Sequence, residues 1–194
     1  MKNDFQLINE IRSLQKAIFS VADLGKILSV KEKSLRTVIM RLKNKGVLNQ
    51  VKRGWYSVFD QVMVPEEVVG QLYYPSYLSL KTVLHKIGII NQIPRQIYAV
   101  STKKSYKTAI SGVPIIYRQI KPDLFFGYYL DNQVLTAYPE KALLDLLYYV
   151  KKGRETVSFS ELDLSQLNLK RWHQFKKPYS KIIKELIEKI EKNI

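Results

Sequence analysis

The chain has 194 residues, which is enough for one large domain or two small ones. Hydrophobic residues make up 46% of it, so a buried core is expected and global disorder is excluded. Lys and Arg number 32 against 17 Asp and Glu, which gives a formal charge of +15. Such an excess favours a polyanionic partner, most often nucleic acid and sometimes an anionic membrane surface, over a basic protein without one.

The sequence contains no cysteine, which excludes disulfides, thiol catalysis and cysteine-ligated zinc. Polar residues near the N-terminus, including Asp4 and Glu10, argue against a signal peptide. No apolar run approaches the roughly 18 residues that a membrane span requires. We therefore expect a cytoplasmic protein that does not bind a membrane.

Helix signals dominate the first 45 residues. An apolar spacing of helical period predicts a helix from Asp4 to Gln15. Two capping-box patterns follow, in which a serine hydroxyl binds a free backbone N–H and a carboxylate three residues later reaches back. The pairs are Ser20 with Asp23 and Ser29 with Glu32. They predict helices over 21–28 and 30–45, separated by a tight turn.

A short hairpin is predicted directly after these helices. Gly46 suits the left-handed position that ends a helix. Strand-like runs at 47–51 and 55–58 then flank the letters KRG. Three helices followed by a two-stranded hairpin is the layout of a winged helix-turn-helix, which we assign to residues 1–62 as a DNA-binding domain.

Residues 63–194 predict a second, α+β domain with antiparallel strands. A helix is expected over 78–87, a second one that starts at Pro139 and runs to about 150, and an amphipathic helix over 180–192. Strand-like runs lie at 96–101, 106–110, 113–120, 125–130 and 133–137. The pairs SG at 111–112 and DN at 131–132 are hairpin turn signals.

The third predicted helix has one apolar and one polar face. Leu35, Val38, Ile39 and Leu42 form a stripe that should face the core. The polar face and its flanks carry the candidate DNA-binding residues Lys31, Lys33, Ser34, Arg36, Thr37, Met40, Arg41 and Asn44. Arginine can fork onto guanine, asparagine can pair with adenine, and a threonine or methionine methyl can touch thymine. The alternative for a lone helix is a solvated basic face.

The hairpin strengthens the DNA-binding interpretation. Lys52 and Arg53 are expected at its tip, next to Gly54, as phosphate contacts. From Leu24 to Ser57 there are nine basic residues and one acidic residue, a net charge of +8 in about a sixth of the chain. Clustering of this kind supplies the sequence-independent part of the affinity for DNA.

No catalytic or metal-binding constellation is apparent, so neither enzymatic activity nor a cofactor or metal is expected. The two histidines, His85 and His173, are far apart in sequence. Glu140 and Asp145 are five residues apart on a predicted helix and should point to different sides, with Glu140 favouring the helix N-terminus. The basic stretch KRWHQFKK offers secondary phosphate contacts or, alternatively, a solvated helix face; its candidates are Lys170, Arg171, Lys176 and Lys177.

Two parts of the sequence together resemble one family. The stretch from Phe19 to Val58 resembles the N-terminal winged helix of AbiEi-family antitoxins, although a winged helix alone is generic. PSYLSL, AISGVPIIYRQIKPDLFFGYY and TAYPEKALLDLLYY resemble the C-terminal domain of that family. The likeness extends over about 19–149, and the last forty-odd residues show no matching motif.

The resemblance implies an antitoxin of a type IV toxin–antitoxin system, linked to phage defence. Such proteins repress their own operon by binding inverted repeats in promoter DNA. The partner toxin is a nucleotidyltransferase, which is countered without a stable complex. The recognition-helix and wing positions of the family correspond to 33–44 and 52–54 here.

Two other functions remain open. The first is a transcriptional regulator, unrelated to a toxin, whose second domain senses a ligand in a pocket lined by Tyr73, Tyr74, Tyr77 or Tyr98. The second is an enzyme acting on nucleic acid that uses the winged helix for docking, against which the lack of a carboxylate cluster argues.

Overall fold

The computed structural model describes residues 4–14, 16–59 and 63–192 of the chain. The fold is α+β, as predicted. The N-terminal region consists of α1 (Asp4–Ser13), β1 (Phe19–Ser20), α2 (Val21–Leu28), α3 (Glu32–Asn44), β2 (Leu48–Lys52) and β3 (Trp55–Val58). Strand β3 lies between β1 and β2 and is antiparallel to both. The sequence predicted these helices and the hairpin but not β1, since two residues are too few to show the alternation of a strand. The predicted end of α1, Gln15, lies outside the described residues.

The two capping patterns have different outcomes. At the start of α2 the box is confirmed: the Ser20 hydroxyl accepts from the Asp23 backbone N–H at 3.1 Å, and the Asp23 carboxylate accepts from the Ser20 N–H at 2.9 Å. The prediction for Ser29 is wrong, because Ser29 is the left-handed residue that ends α2, with φ of 51°. Helix α3 follows Lys31 without a side-chain cap. The connection is so short that Ser29 serves the preceding helix and not the following one.

Replacing Ser20 with Ala should lower the free energy of unfolding by about 1 kcal/mol, since the Asp23 backbone N–H at the start of α2 loses its acceptor. Replacing Ser29 with Ala is the matched control and should change it by less than about 0.5 kcal/mol. The Ser29 hydroxyl donates only to the Lys26 carbonyl, at 3.4 Å. Urea unfolding of both variants measures the difference, and equal losses would contradict this assignment of the caps.

A small apolar core holds α3 against the three-stranded sheet and α2. Its buried members are Ile11, Phe19, Leu24, Leu35, Ile39, Leu42, Val47, Leu48 and Val58. A Cβ at Gly25 would lie 3.0 Å from Leu35 Cδ2, so α2 and α3 approach each other closely at this glycine. Gly46 has a φ of 71° immediately after α3, which confirms its predicted role in ending that helix. These contacts determine which face of α3 remains outside.

The larger region consists of a mixed sheet with helices packed on it. In chain order its elements are α4 (Val69–Leu72), β4 (Ser76–Leu78), α5 (Leu80–Lys86), β5 (Ile97–Ser101), β6 (Tyr106–Ile110), β7 (Val113–Gln119), β8 (Tyr128–Asp131), β9 (Val134–Ala137), α6 (Pro139–Lys151), α7 (Leu169–Phe175) and α8 (Ser180–Glu191). Pro139 occupies the first turn of α6, as predicted. The buried residues of α8 are Ile183, Ile187 and Ile190, which confirms its amphipathic assignment.

The strand order within the larger sheet is β6-β7-β5-β4-β9-β8. The hairpins β6–β7 and β8–β9 are antiparallel, but β5 pairs with β7 and β4 with β9 in parallel. The predicted antiparallel strands are therefore present, and the two parallel pairings are a feature that the sequence did not predict. Strand β4 was not predicted, and of its three residues only Leu78 falls within the helix expected over 78–87. It lies between β5 and β9, where it joins the two halves of the sheet. Ser111 and Gly112 form the first turn with positive φ, as predicted, whereas the second turn is at Asn132 and Gln133, one residue later than predicted.

The two regions share apolar contacts. Ala17 and Ile18, which precede β1, are buried in the same cluster as the core of the larger sheet. Trp55 and Val51 of the β2–β3 hairpin also pack against that cluster. The predicted boundary at residue 62 lies outside the described residues, and the division into two domains stays a prediction.

Candidate nucleic-acid interface

Helix α3 presents one face to the core and the opposite face to solvent. Leu35, Ile39 and Leu42 are buried, and Val38 is half-buried, as the apolar stripe predicts. The exposed face and its N-terminal approach carry Lys31, Lys33, Ser34, Arg36, Thr37, Met40, Arg41 and Asn44, all of them exposed. The orientation of the helix is therefore the one that DNA recognition would require.

A shallow depression lies on the outer surface of α3. It is lined by Arg36, Thr37, Met40, Arg41, Asn44 and Lys45. Met40 is 56% exposed, an unusual position for a large apolar side chain. Two guanidinium groups, an amide and two methyl-bearing side chains thus share one surface, and these groups match the hydrogen-bonding and methyl groups of the major groove.

The charge around this surface is of one sign. Residues 33–59 contain seven Lys and Arg and no Asp or Glu. Lys43 lies on the flank of α3, where its amine donates to Gln50 Oε1 on β2 at 3.0 Å. A region without acidic side chains attracts phosphate along its whole length, independently of base sequence.

The β2–β3 hairpin places its two basic residues differently. Arg53 is exposed beside Gly54, whose φ of 80° permits the turn. Lys52 is half-buried and turned toward the larger sheet, where its amine donates to Tyr106 Oη at 2.8 Å and to the Thr108 hydroxyl. This hydrogen bond lowers the pKa of Tyr106. Nothing near Lys52 in the sequence signals this contact, which joins residues 54 positions apart.

The hairpin is also tied to the start of α2. The Val21 N–H donates to the Gly54 carbonyl at 3.2 Å. The register of β2 and β3 shifts between Gln50 and Lys52, where a bulge bends the hairpin. The position of Arg53 relative to α3 is thus set by backbone contacts on both sides.

The four secondary candidates on and after α7 do not form one free basic patch. Arg171 Nε donates to Glu140 Oε2 at 3.0 Å, and its guanidinium lies 4.7 Å from the centre of the Tyr138 ring. Lys176 pairs with Glu191. Lys170 and Lys177 are exposed. Two of the four charges are therefore compensated by carboxylates, which weakens this surface as a phosphate site.

The tyrosines proposed as a ligand pocket lie in different surroundings. Tyr77 is buried and packs on Phe125 and Tyr128, at 5.0 and 4.8 Å between ring centres. Tyr73 packs instead on Tyr106 and Tyr117. A cavity of about 560 Å³ does lie beside α5, with Thr82, Ile93 and Arg95 in its lining, but none of the four tyrosines contributes to it.

A buried ionic network in α6 was missed by the sequence prediction. Lys141 and Asp145 are fully buried and pair with each other one helical turn apart. The Lys141 amine donates to Tyr77 Oη at 2.8 Å and to Tyr179 Oη at 2.7 Å. Asp145 accepts from both of these hydroxyls, at 3.0 and 2.6 Å, and from Ser79 Oγ at 2.7 Å. Burial lowers the pKa of Lys141, and the carboxylate of Asp145 opposes that shift.

The sequence spacing of Lys141 and Asp145 could have predicted this network. Lys141 and Asp145 stand at i and i+4, where side chains meet on one helix face, and apolar residues surround them in the sequence. The acidic residue Glu140 is not a partner of Asp145, because Asp145 pairs with Lys141 and Glu140 pairs with Arg171. Glu140 is in the first turn of α6, as predicted, but it is fully buried, and its Oε1 accepts from the Asn168 N–H at 2.6 Å.

Among residues 4–14, 16–59 and 63–192, no helix is long and apolar enough to cross a membrane. The same part of the chain holds no group of three or more His, Cys, Asp or Glu side chains suited to a metal ion. A comparison with protein-family models found no match to this sequence, and a comparison with curated proteins found no significant relative.

Proposed function

We propose that this chain is a DNA-binding antitoxin that represses its own operon in a type IV toxin–antitoxin system. In this proposal residues 1–62 form the winged helix-turn-helix, with α3 as the recognition helix and the β2–β3 hairpin as the wing. The observation that carries it is the outer face of α3, where exposed Arg36, Thr37, Met40, Arg41 and Asn44 adjoin an acid-free basic segment. Such a face combines base-reading groups with phosphate neutralisation.

The likeness to AbiEi-family antitoxins supports the remaining parts of the proposal. The second region, 63–194, would counteract a nucleotidyltransferase toxin without forming a stable complex with it. Each chain carries one such helix surface, so two copies should occupy an inverted repeat in the promoter, where the symmetry of the protein matches that of the operator. The setting would be the cytoplasm, in defence against phage.

Binding of the full chain to the DNA upstream of its own gene is the direct test. In footprinting, we expect two protected half-sites related by a two-fold axis, and no protection of a shuffled sequence. A single isolated half-site at saturation would contradict the paired arrangement, and equal affinity for the shuffled sequence would contradict specific repression.

Rescue of cells from the cognate toxin tests the second activity. Arg36→Ala/Arg41→Ala in the full chain should abolish repression but retain rescue, because neither side chain belongs to the region assigned to neutralisation. Lys43→Ala serves as a control that should retain rescue and the preference for the promoter and lose only a small part of the affinity, since Lys43 lies on the flank of α3 and can contact phosphate only. Loss of rescue together with repression in a folded variant would show that one surface serves both activities.

The cavity beside α5 favours a second candidate, a ligand-responsive regulator unrelated to a toxin. Its volume of about 560 Å³ lies within the range of small-molecule sites. A small molecule that changes the affinity for promoter DNA, in a chain that rescues no toxin, would support this candidate over the antitoxin.

A further inference from the structure

The β2–β3 hairpin touches the free edge of the larger sheet. Strand β6 is the outermost strand on that side of the sheet. Tyr106 and Thr108, two residues apart on β6, both bind the Lys52 amine, so they lie on the same face of the strand. Lys107, between them, projects to the opposite face. The candidate wing is thereby anchored to one face of this edge.

Two tyrosines organise two lysines across this contact. The rings of Tyr73 and Tyr106 are 5.3 Å apart between centres, and both pack on Tyr117, at 5.0 and 6.1 Å. The amine of Lys52 lies 5.1 Å from the centre of the Tyr106 ring, and that of Lys103 lies 5.5 Å from the centre of the Tyr73 ring. Lys52 comes from the hairpin and Lys103 from the larger region, and their two ammonium groups thus lie next to one pair of stacked tyrosine rings.

The backbone beyond Lys103 is held by Tyr73 of this pair. Tyr73 Oη donates to the Lys104 carbonyl at 2.8 Å. Gln119, at the end of β7, holds the loop from the other side, because its backbone N–H donates to Ser105 Oγ at 3.0 Å. Lys103 and Lys104 are both exposed on this supported loop. Their position relative to the hairpin is therefore determined by packing, unlike that of lysines on an unsupported tail.

The lysines at this contact are not paired with carboxylates, whereas Lys81, Lys86 and Arg118 of the larger region pair with Glu155 or Asp131. Residues 68–122 contain eight Lys and Arg and no Asp or Glu. The partners of Lys52 are hydroxyl groups, which satisfy its hydrogen bonds without neutralising its charge. Within the described part of the chain, Lys103 and Lys104 form no ion pair. Three ammonium groups remain available to an external anion.

We propose that Lys52, Lys103 and Lys104 form a composite phosphate clamp that grips the DNA backbone beside the half-site read by α3. This inference rests on the proposed DNA binding and extends its surface from the hairpin onto the second region. Duplex DNA fits because the clamp continues the basic surface of α3 and Arg53, and the duplex offers a continuous row of phosphates along such a surface. Phosphate contacts of this kind position a protein without reading bases.

The test is the salt dependence of promoter binding by full-length variants. Lys103→Ala/Lys104→Ala should flatten the slope of log K against log salt by about 0.9 for each lost contact, thus by about two in total. Its preference for the promoter over a shuffled duplex should stay unchanged. Lys103→Ala alone should lose about one unit, and Lys107→Ala, which removes the same charge from the opposite face of β6, should lose much less.

An unchanged slope in Lys103→Ala/Lys104→Ala would overturn the clamp, and so would an equal loss in Lys107→Ala, which would indicate general charge only. These outcomes are distinct from failure of the proposed function, in which the wild-type chain itself would show no preference for its promoter. If the alanine variant does not fold, Lys103→Gln/Lys104→Gln answers the same question, because it removes both charges but keeps a polar side chain that is only one atom shorter. Thermal melts of each variant accompany the titrations.

Discussion

Replacing Lys141 with Met is expected to lower the free energy of unfolding by about 3–5 kcal/mol, because it leaves the buried carboxylate of Asp145 without its cationic partner. Both side chains are completely inaccessible to solvent. Tyr77, Tyr179 and Ser79 would still donate to Asp145, but no hydroxyl supplies a compensating charge. Urea unfolding should show a lower midpoint with an unchanged slope.

Two further variants separate the ion pair from the loss of any lysine. Lys141→Met/Asp145→Leu removes both charges and should be more stable than Lys141→Met, since an apolar pair in a buried site leaves no charge unpaired. Lys181→Met, at the exposed start of α8, should change stability by less than about 0.5 kcal/mol. The ionic network would have no stabilising role if Lys141→Met unfolded at the midpoint of the wild type.

Replacing both Arg36 and Arg41 with Ala should weaken binding to the promoter of the chain's own gene by about 1–3 kcal/mol for each arginine that pairs with a base. Both side chains are exposed on the outer face of α3 and line the same depression. Gel-shift titrations against promoter and shuffled duplexes, at several salt concentrations, measure affinity and preference together. Preference should fall with affinity, because base contacts are lost and not only phosphate contacts.

The matched control is Arg36→Lys/Arg41→Lys, which keeps both charges but removes the planar forks that bind guanine in two places. It should retain most of the salt dependence of the wild type while losing preference for the promoter. If the alanine variant bound promoter DNA with wild-type affinity and preference, α3 would not be the recognition helix. That result would also remove the main support for the proposed repressor.

Features that depend on a few neighbouring residues were predictable. The Ser20 capping box, the helix end at Gly46 and the helix start at Pro139 were all confirmed. The orientation of α3 was confirmed as well, because the helix has only one apolar face that can pack against the core. Each of these rests on backbone geometry or periodicity within about a turn of helix, which the sequence carries directly.

Local sequence patterns gave the wrong prediction where one residue could belong to either of two adjacent elements. Ser29 could end α2 or begin α3, and the short connection left it in the left-handed conformation at the end of α2. Strand β4 is three residues long and lies between β5 and β9, so its identity comes from partners distant in the sequence. The parallel pairing of β4 with β9 follows from the same placement.

Only the tertiary structure decided the long-range polar contacts. Lys52 was predicted as a phosphate contact at a hairpin tip, and in the structure it binds Tyr106 and Thr108 across the two regions. Lys141 and Asp145 have the charged character of surface residues, yet they are buried together. The sequence by itself determined the helix faces, the capping box at Ser20 and the concentration of basic charge. Which charges are buried, paired or left for a partner depends on the packing of distant segments, because desolvation and pairing are properties of the assembled core and not of any local stretch.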